Sequence, residues 1–83
     1  MTEFTSRVIN IIKSIPPGLV CTYGGVAALA GSPRAARQVV RILHSLSAQE
    51  RLPWHRVVNS KGRIAIRDPE GFFRQKALLE AEG

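Results

Sequence analysis

The segment Gly31-Ser32-Pro33 separates two helical patterns and constrains the fold of this chain more than any other feature. The first pattern covers residues 26–30, and Gly31 is typical of the residue that closes a helix. Ser32 is a favoured N-cap and Pro33 is favoured at the first helical position, so a second helix is predicted over residues 33–46. Two helices joined so closely predict a helix-turn-helix.

The predicted second helix has an apolar side and a basic side. Its apolar side is predicted to consist of Ala36, Val40 and Leu43. Three arginines at spacings of three and four follow another face, namely Arg34, Arg37 and Arg41. A basic second helix favours DNA binding, although core packing alone also produces helix–glycine–helix segments.

An amphipathic helix is predicted over residues 4–15, before this pair. Its apolar positions share one face and are Phe4, Val8, Ile11, Ile12 and Ile15. Pro16-Pro17-Gly18 ends this helix, and residues 19–23 form a short extended run.

After the helix pair, residues 52–58 and 64–66 flank a predicted turn at residues 59–62, which indicates a small β-hairpin. Asp68 and Pro69 then predict the start of a last helix, whose inner face would contain Phe73, Ala77 and Leu78. We therefore expect a mainly α fold with a small β-hairpin, and a single domain over residues 1–83.

The positive charge is concentrated in the middle of the chain. The net charge is +6, and residues 33–67 contain eight basic residues against one acidic residue, Glu50. Seven of the eight are arginines, which pair bidentately with phosphate and stack on bases. This block favours a polyanionic partner, and the alternative is an ordinary solvated basic surface.

Several classes of protein are disfavoured by composition. Cys21 is the single cysteine, which argues against an internal disulfide and a zinc site built on several thiolates. The first four residues do not form a signal peptide, and no apolar stretch approaches the roughly 20 residues of a membrane span. We expect a cytoplasmic, monomeric protein that does not associate with membranes.

The segment Pro53-Trp54-His55-Arg56-Val57 is the most distinctive motif. It resembles the Pro-Cys-His-Arg-Val signature of the O6-alkylguanine-DNA alkyltransferases, in which the cysteine accepts an alkyl group from guanine. Trp54 stands at the cysteine position, as in the alkyltransferase-like proteins of this family. An indole has no free lone pair for displacement, so transfer at this position is excluded.

Matches in the same order extend the resemblance over nearly the whole chain. Residues 22–24 and 27–31 are similar to the first helix of the family's helix-turn-helix, and residues 32–39 to its recognition helix. Residues 78–83 are similar to its closing helix. The resemblance implies a winged-helix-like helix-turn-helix domain without cofactor or metal.

The resemblance also implies how DNA is held. Arg37 would enter the base stack when a guanine is flipped out, and Tyr23 would press on the phosphate of the flipped nucleotide. Ala35 and Ala36 would allow a close approach to the minor groove, and Arg34 and Arg41 would contact phosphates. Taken alone, Arg37 could be a phosphate contact like Arg34 and Arg41, and Tyr23 is first of all a half-buried core residue.

A base pocket is implied around the motif. Trp54 would form its wall, with Tyr23, Pro53 and Val57 beside it, and Arg67 would contact the modified guanine through a cation–π interaction. Taken alone, Trp54 could be a core tryptophan and Arg67 an exposed arginine.

The remaining motif residues are expected to be structural. His55 and Glu82 match the residues that activate the cysteine in the enzymes, and here they would form a hydrogen-bonded pair. Arg56 would hold the loop of the motif together.

The resulting expectation is a non-enzymatic protein. It would bind duplex DNA containing O6-alkylguanine, flip the lesion and mark it for nucleotide excision repair proteins. In a bacterium it would be associated with the nucleoid. Two alternatives stay open, a sequence-specific helix-turn-helix regulator and an alkyltransferase that uses Cys21 or a water molecule.

Overall fold

The first helix, α1, spans Glu3–Lys13 in a computed structural model that describes residues 2–83. The expectation for Met1, including its part in the predicted domain 1–83 and in the absence of a signal peptide, lies outside the described residues. Thr2 caps α1 by accepting a hydrogen bond from the backbone N–H of Thr5 at 3.1 Å. The predicted amphipathic helix is confirmed, but it ends at Lys13 rather than Ile15. Val8 and Ile12 of its predicted face are buried, as are Ile9 and Ile15, which lies beyond the helix.

Helix α2 begins earlier than its pattern predicted, at Tyr23 rather than Val26, and spans Tyr23–Leu29. The reason is that Thr22 is the N-cap of the helix. The sequence pattern did not indicate this cap, because Gly24 and Gly25 disfavour a helix start there. The hydroxyl of Thr22 accepts a hydrogen bond from the backbone N–H of Gly25 at 2.9 Å. A Cβ on Gly25 would lie 2.9 Å from that same hydroxyl oxygen, so this close approach requires glycine.

The end of α2 confirms the role predicted for Gly31. Gly31 has φ +96, and the N–H of Ser32 donates to the carbonyl of Ala27 at 2.9 Å. The N–H of Gly31 donates to Ala28 at 3.0 Å. These two bonds form a Schellman motif, which requires a left-handed residue.

Helix α3 spans Ala36–Glu50, so the predicted start at Pro33 with Ser32 as N-cap is wrong. Residues 32–35 instead form a turn, closed by the N–H of Ala35 donating to the carbonyl of Ser32 at 2.9 Å. The φ that proline imposes suits the second position of a β-turn as well as a helix start. Arg34 therefore lies in the turn, and Arg37 and Arg41 alone of the predicted stripe lie on the helix.

The buried face of α3 is also rotated from the prediction. Val39 and Ile42 are the buried residues, whereas Ala36, Val40 and Leu43 are half-buried. Apolar residues lie on two sides of α3. Val39 and Ile42 pack into the core, and Val40 and Leu43 border the cavity described below.

The predicted β-hairpin is wrong. Strand β1, Cys21–Thr22, pairs in parallel with strand β2, Val57–Val58, and residues 64–66 form no strand. The turn at residues 59–62 does exist, because the side chain of Asn59 accepts hydrogen bonds from the N–H groups of Lys61 and Arg63. Val57 is fully buried, and its pairing joins the two halves of the chain.

The last helix, α4, spans Pro69–Glu82 and begins as predicted, with Asp68 accepting a hydrogen bond from Gly71 at 3.0 Å. Its predicted inner face is wrong. Phe73 is 64% exposed, Ala77 is exposed and Leu78 is 36% exposed. The inward positions of α4 are Phe72, Gln75, Leu79 and Glu82. Because two of these residues are polar, a search for apolar periodicity does not find this face.

The core lies between α1, α2 and α3 and is closed by β2. Its fully buried side chains are aliphatic and include Val8, Ile12, Val26, Val39 and Val57. Within residues 2–83, none of the helices combines the length and apolar character that crossing a membrane requires. The mainly α architecture is as predicted.

Candidate nucleic-acid interface

The Pro-Trp-His-Arg segment folds as a tight turn that presents Trp54. Residues Trp54–Arg56 form a single 3₁₀ turn, closed by the N–H of Arg56 donating to the carbonyl of Pro53 at 3.0 Å. The Trp54 ring packs edge-on against the His55 ring, with centroids 6.1 Å apart. Trp54 is half-buried and is absent from the hydrophobic core, so the alternative of a core tryptophan does not describe its position.

A cavity of about 460 Å³ lies beside Trp54. Tyr23 from α2 and Trp54 both line it, and Val40 and Leu43 of α3 supply apolar wall. This volume falls in the range of small-molecule sites, roughly 300–1,000 Å³. Burial raises the pKa of Tyr23, so its phenol stays protonated near neutral pH and keeps a hydrogen to donate.

Three residues expected in the pocket do not line this cavity. Val57 is fully buried in β2, so its side chain belongs to the core. Pro53 is half-buried at the start of the 3₁₀ turn, and Arg67 is exposed before α4. Ile66 does line the cavity. Arg67 is therefore next to a lining residue in the chain, but it is not itself part of the cavity wall.

Sequence reasoning missed several residues of the cavity. Three of them are basic or titratable, namely His44, Arg51 and Arg74, and two are neutral and polar, namely Ser47 and Gln75. His44 and Ser47 lie on α3, Arg51 directly follows α3 two residues before the motif, and Arg74 and Gln75 lie on α4. The positions of Arg74 and Gln75 at the cavity depend on how α4 packs, which no local pattern shows.

Gln75 connects the cavity with the turn that carries Trp54. Its amide nitrogen donates to the carbonyl of His55 at 3.0 Å and to that of Val57 at 3.1 Å. Gln75 is 1% exposed, and its side-chain oxygen, like the hydroxyl of Ser47, has no hydrogen-bond partner within residues 2–83. The two bonds fix the orientation of the amide and hold the backbone after Trp54.

Glu82 organises the other side of the same turn. Its carboxylate accepts hydrogen bonds from the Arg56 guanidinium, at 3.0 Å from Nε, and from His55 Nε2 at 2.8 Å. The hydrogen bond from Arg56, and to a smaller extent that from His55, lowers the pKa of Glu82 to about 2. Because an ionised carboxylate can only accept, His55 Nε2 must carry the hydrogen. Arg56 also donates to the carbonyl of Ile15 at 2.8 Å and so ties the turn to the end of α1.

The predicted DNA-contacting residues lie together around the start of α3. Arg34, Arg37 and Arg41 are exposed, and Ala35 and Ala36 are half-buried. None of the three arginines forms an ion pair within the described part of the chain. A shallow depression beside Arg34 and Ala35 is bordered by Ser32 and Gln38. This surface is therefore cationic, with its charge available to a partner.

Within the described residues 2–83, neither a thiol nor a group of metal-ligating side chains lies at the cavity. Cys21 is half-buried on β1 and does not line it. Among residues 2–83, no three histidine, cysteine or acidic side chains come close enough to hold a metal ion.

Solved structures match the fold of this chain. The structure matches alkyltransferase-like protein 1 of Schizosaccharomyces pombe in complex with damaged DNA containing O6-carboxymethylguanine, with a TM-score of 0.88, 45% identity and coverage of 100% of this chain and 78% of that chain. It also matches a Mycobacterium tuberculosis O6-methylguanine methyltransferase in complex with DNA, with a TM-score of 0.80, 33% identity and coverage of 99% and 49%. The predicted helix-turn-helix fold is thereby confirmed.

Sequence comparison gives the same result. The DNA base-flipping protein of Escherichia coli is 54% identical over 81 residues, which cover 98% of this chain and 62% of that relative. The chain thus spans somewhat less than two thirds of the length of that protein. The family model for the DNA-binding domain of 6-O-methylguanine DNA methyltransferase matches residues 3–83. The chain belongs to the 6-O-methylguanine DNA methyltransferase DNA-binding domain family, as its Pro-Trp-His-Arg motif and helix pair had indicated.

Proposed function

We propose that this protein binds duplex DNA, flips O6-alkylguanine out of the base stack and holds it without transferring the alkyl group. The observation that carries this proposal is the position of Trp54. It occupies the place of the acceptor cysteine in the motif and lines a base-sized cavity together with Tyr23. An aromatic wall can stack on a purine, whereas an indole cannot act as an alkyl acceptor.

The cationic surface around the start of α3 supports the DNA-binding part of the proposal. Exposed arginines that form no ion pair within residues 2–83 are free to neutralise phosphates. Arg37 lies on the first turn of α3, and we assign it the position in the stack that the flipped base vacates. Its planar guanidinium could stack on the neighbouring bases and bond the orphaned partner. Arg34 and Arg41 would contact phosphates. Ala35 and Ala36 have small side chains, which would let this part of the protein approach the minor groove closely.

Arg67 and Pro53 do not line the cavity, but each has a supporting role in the proposed function. Arg67 is exposed next to the cavity-lining Ile66, and a rotation of its side chain could bring the guanidinium over a bound base. Pro53 would fix the start of the turn that presents Trp54. Val57 is assigned to the core, and its backbone carbonyl accepts a hydrogen bond from Gln75, which lines the cavity.

A bound lesion that is not repaired in place must be removed by another system. We propose that the complex marks the site for nucleotide excision repair, and that the protein acts as a monomer wherever the cell keeps its DNA. Reconstituted incision assays on one alkylated duplex, with and without this protein, would test the first part. Light scattering of the protein would test the second.

A two-part experiment tests the proposed function. Titration of Trp54 fluorescence with duplexes of identical sequence, containing guanine or O6-methylguanine, should show tighter binding of the alkylated duplex. Mass spectrometry after long incubation should leave the protein mass unchanged. A mass gain of one methyl group would establish transfer, and equal affinity for both duplexes would contradict lesion recognition. Tight binding to one undamaged sequence would indicate a regulator instead.

A further inference from the structure

We propose that Arg51 and Arg74 give the cavity a preference for guanine adducts that end in a carboxylate. This inference rests on the proposed function and specifies the class of lesion that the site favours. Both arginines line the cavity beside Trp54, and neither was part of the motif that indicated the family. Arg51 directly follows α3, and Arg74 lies on α4.

The first observation is the charge of the cavity wall. Two arginines line it, and none of its lining residues within positions 2–83 is acidic. Positive charge on a concave, partly apolar wall attracts an anionic group more strongly than the same charge on a flat surface. A flipped purine would occupy only part of a cavity of about 460 Å³, so room is left for a substituent on its exocyclic oxygen.

The second observation is that both guanidinium groups are available. Within residues 2–83, neither Arg51 nor Arg74 forms an ion pair or a side-chain hydrogen bond. Glu70 precedes Arg74 by one helical turn and yet makes no ion pair with it. Arg56, in contrast, is fully engaged by Glu82 and Ile15. The free guanidinium groups can therefore pair with a ligand carboxylate in the bidentate geometry that arginine favours.

The third observation is the backbone of Arg51. It has φ 53, and it is the one non-glycine residue among the described positions with a positive φ. The N–H of Leu52 donates to the carbonyl of Ser47 at 2.9 Å. This bond ends α3 in the same way as the bond from Ser32 to Ala27 ends α2, so Arg51 takes the position that Gly31 has in α2. Glycine is the residue that favours this position. An arginine is placed there at a conformational cost, and its side chain lines the cavity.

This backbone provides a sharp test. Arg51→Gly removes the charge while relieving the left-handed conformation, so the variant should unfold at the same or a higher urea concentration than the parent. Arg74→Gln removes the second charge, and Lys76→Gln is its matched control, because Lys76 is exposed on the same helix and does not line the cavity. Arg51→Lys keeps the charge without the bidentate geometry.

Three duplexes of one sequence should be titrated, with guanine, with O6-carboxymethylguanine and with its neutral amide isostere, O6-carbamoylmethylguanine. The parent should bind the carboxylate more tightly than the amide. Arg51→Gly and Arg74→Gln should each lower that ratio about fivefold, as expected for a solvent-accessible ion pair. Arg51→Lys should retain part of the ratio, and Lys76→Gln should leave it unchanged.

Two outcomes would overturn the inference. Equal weakening of all three duplexes by Arg51→Gly and Arg74→Gln would assign the arginines to DNA phosphates. An unchanged ratio of carboxylate to amide affinity would exclude a contact with the adduct. Both outcomes leave the proposed function intact as long as the parent prefers the two modified duplexes to guanine, and loss of that preference would instead reject the proposed function.

Discussion

His55 and Glu82 are joined by a hydrogen bond of 2.8 Å between Nε2 and Oε2, although 27 positions separate them in the chain. Arg56 donates to the same carboxylate. The last turn of α4 thus holds the two residues that follow Trp54. In a chain with a tryptophan at the acceptor position, this network can serve to position the turn, and it needs no role in proton transfer.

Acid should weaken the fold through Glu82. Its pKa is about 2 in the folded protein against an ordinary value of 4.5. The unfolded chain therefore binds a proton first as the pH falls, so the contribution of Glu82 is complete above about pH 4.5 and is lost between there and pH 2. Urea unfolding at pH 6 and pH 3 should show this loss in the parent.

The Glu82→Gln variant should be less stable at pH 6 and should lose less stability on acidification. Glu80→Gln is the matched control, since Glu80 is exposed on the same helix and makes no ion pair within residues 2–83. The same pH dependence in Glu82→Gln as in the parent would assign the acid sensitivity to other groups.

The two neighbouring glycines of α2 should respond oppositely to alanine. Gly25→Ala places a Cβ 2.9 Å from the Thr22 hydroxyl and disrupts the cap, which should cost about 1–2 kcal/mol. Gly24→Ala meets nothing within 4 Å and should stabilise the helix by about 0.5–1 kcal/mol. Denaturant midpoints of the two variants measure the difference, and equal midpoints would show that the Thr22 cap contributes little.

Removal of the Trp54 ring should reduce lesion preference more than DNA affinity. Base–aromatic stacking is worth about 1–3 kcal/mol, so Trp54→Ala should lower the ratio of alkylated to unmodified affinity about 5- to 150-fold. Trp54→Phe should keep most of the ratio because it retains an aromatic face. Binding can be followed by the anisotropy of a labelled duplex. A ratio unaffected by the alanine would show that Trp54 does not contact the base.

Arg37 and Arg41 should differ although both are exposed arginines of α3. Arg37→Ala should weaken binding of the alkylated duplex about tenfold or more, because the vacated space in the stack loses a charged hydrogen-bonding group. Arg41→Ala should weaken all duplexes alike and reduce the slope of affinity against salt by about one.

A 2-aminopurine base next to the lesion reports the unstacking directly. Its fluorescence should rise on binding of the parent and of Arg41→Ala and should rise less with Arg37→Ala. The same increase with all three proteins would remove Arg37 from the base stack and make it another phosphate contact.

The amino-acid sequence by itself determined the features that depend on near neighbours. The helical periodicity of α1, the Schellman end at Gly31 and the Asp68-Pro69 start of α4 were all predictable, because caps and periodicity act over a few residues. The motif around Trp54 also identified the family, since its residues are consecutive.

Tertiary structure decided the features that depend on which segments meet. Pro33 suits both a turn and a helix start, and the packing of α2 on α3 selected the turn. Val57 and Val58 could pair with the following segment or with Cys21 and Thr22, and burial of Val57 in the core selected the latter. The outward position of Phe73 and the inward position of Gln75 follow from the bonds of Gln75 and Glu82 to the turn. Those bonds also bring Arg74 to the cavity, and no local pattern records a contact that forms only when distant elements pack together.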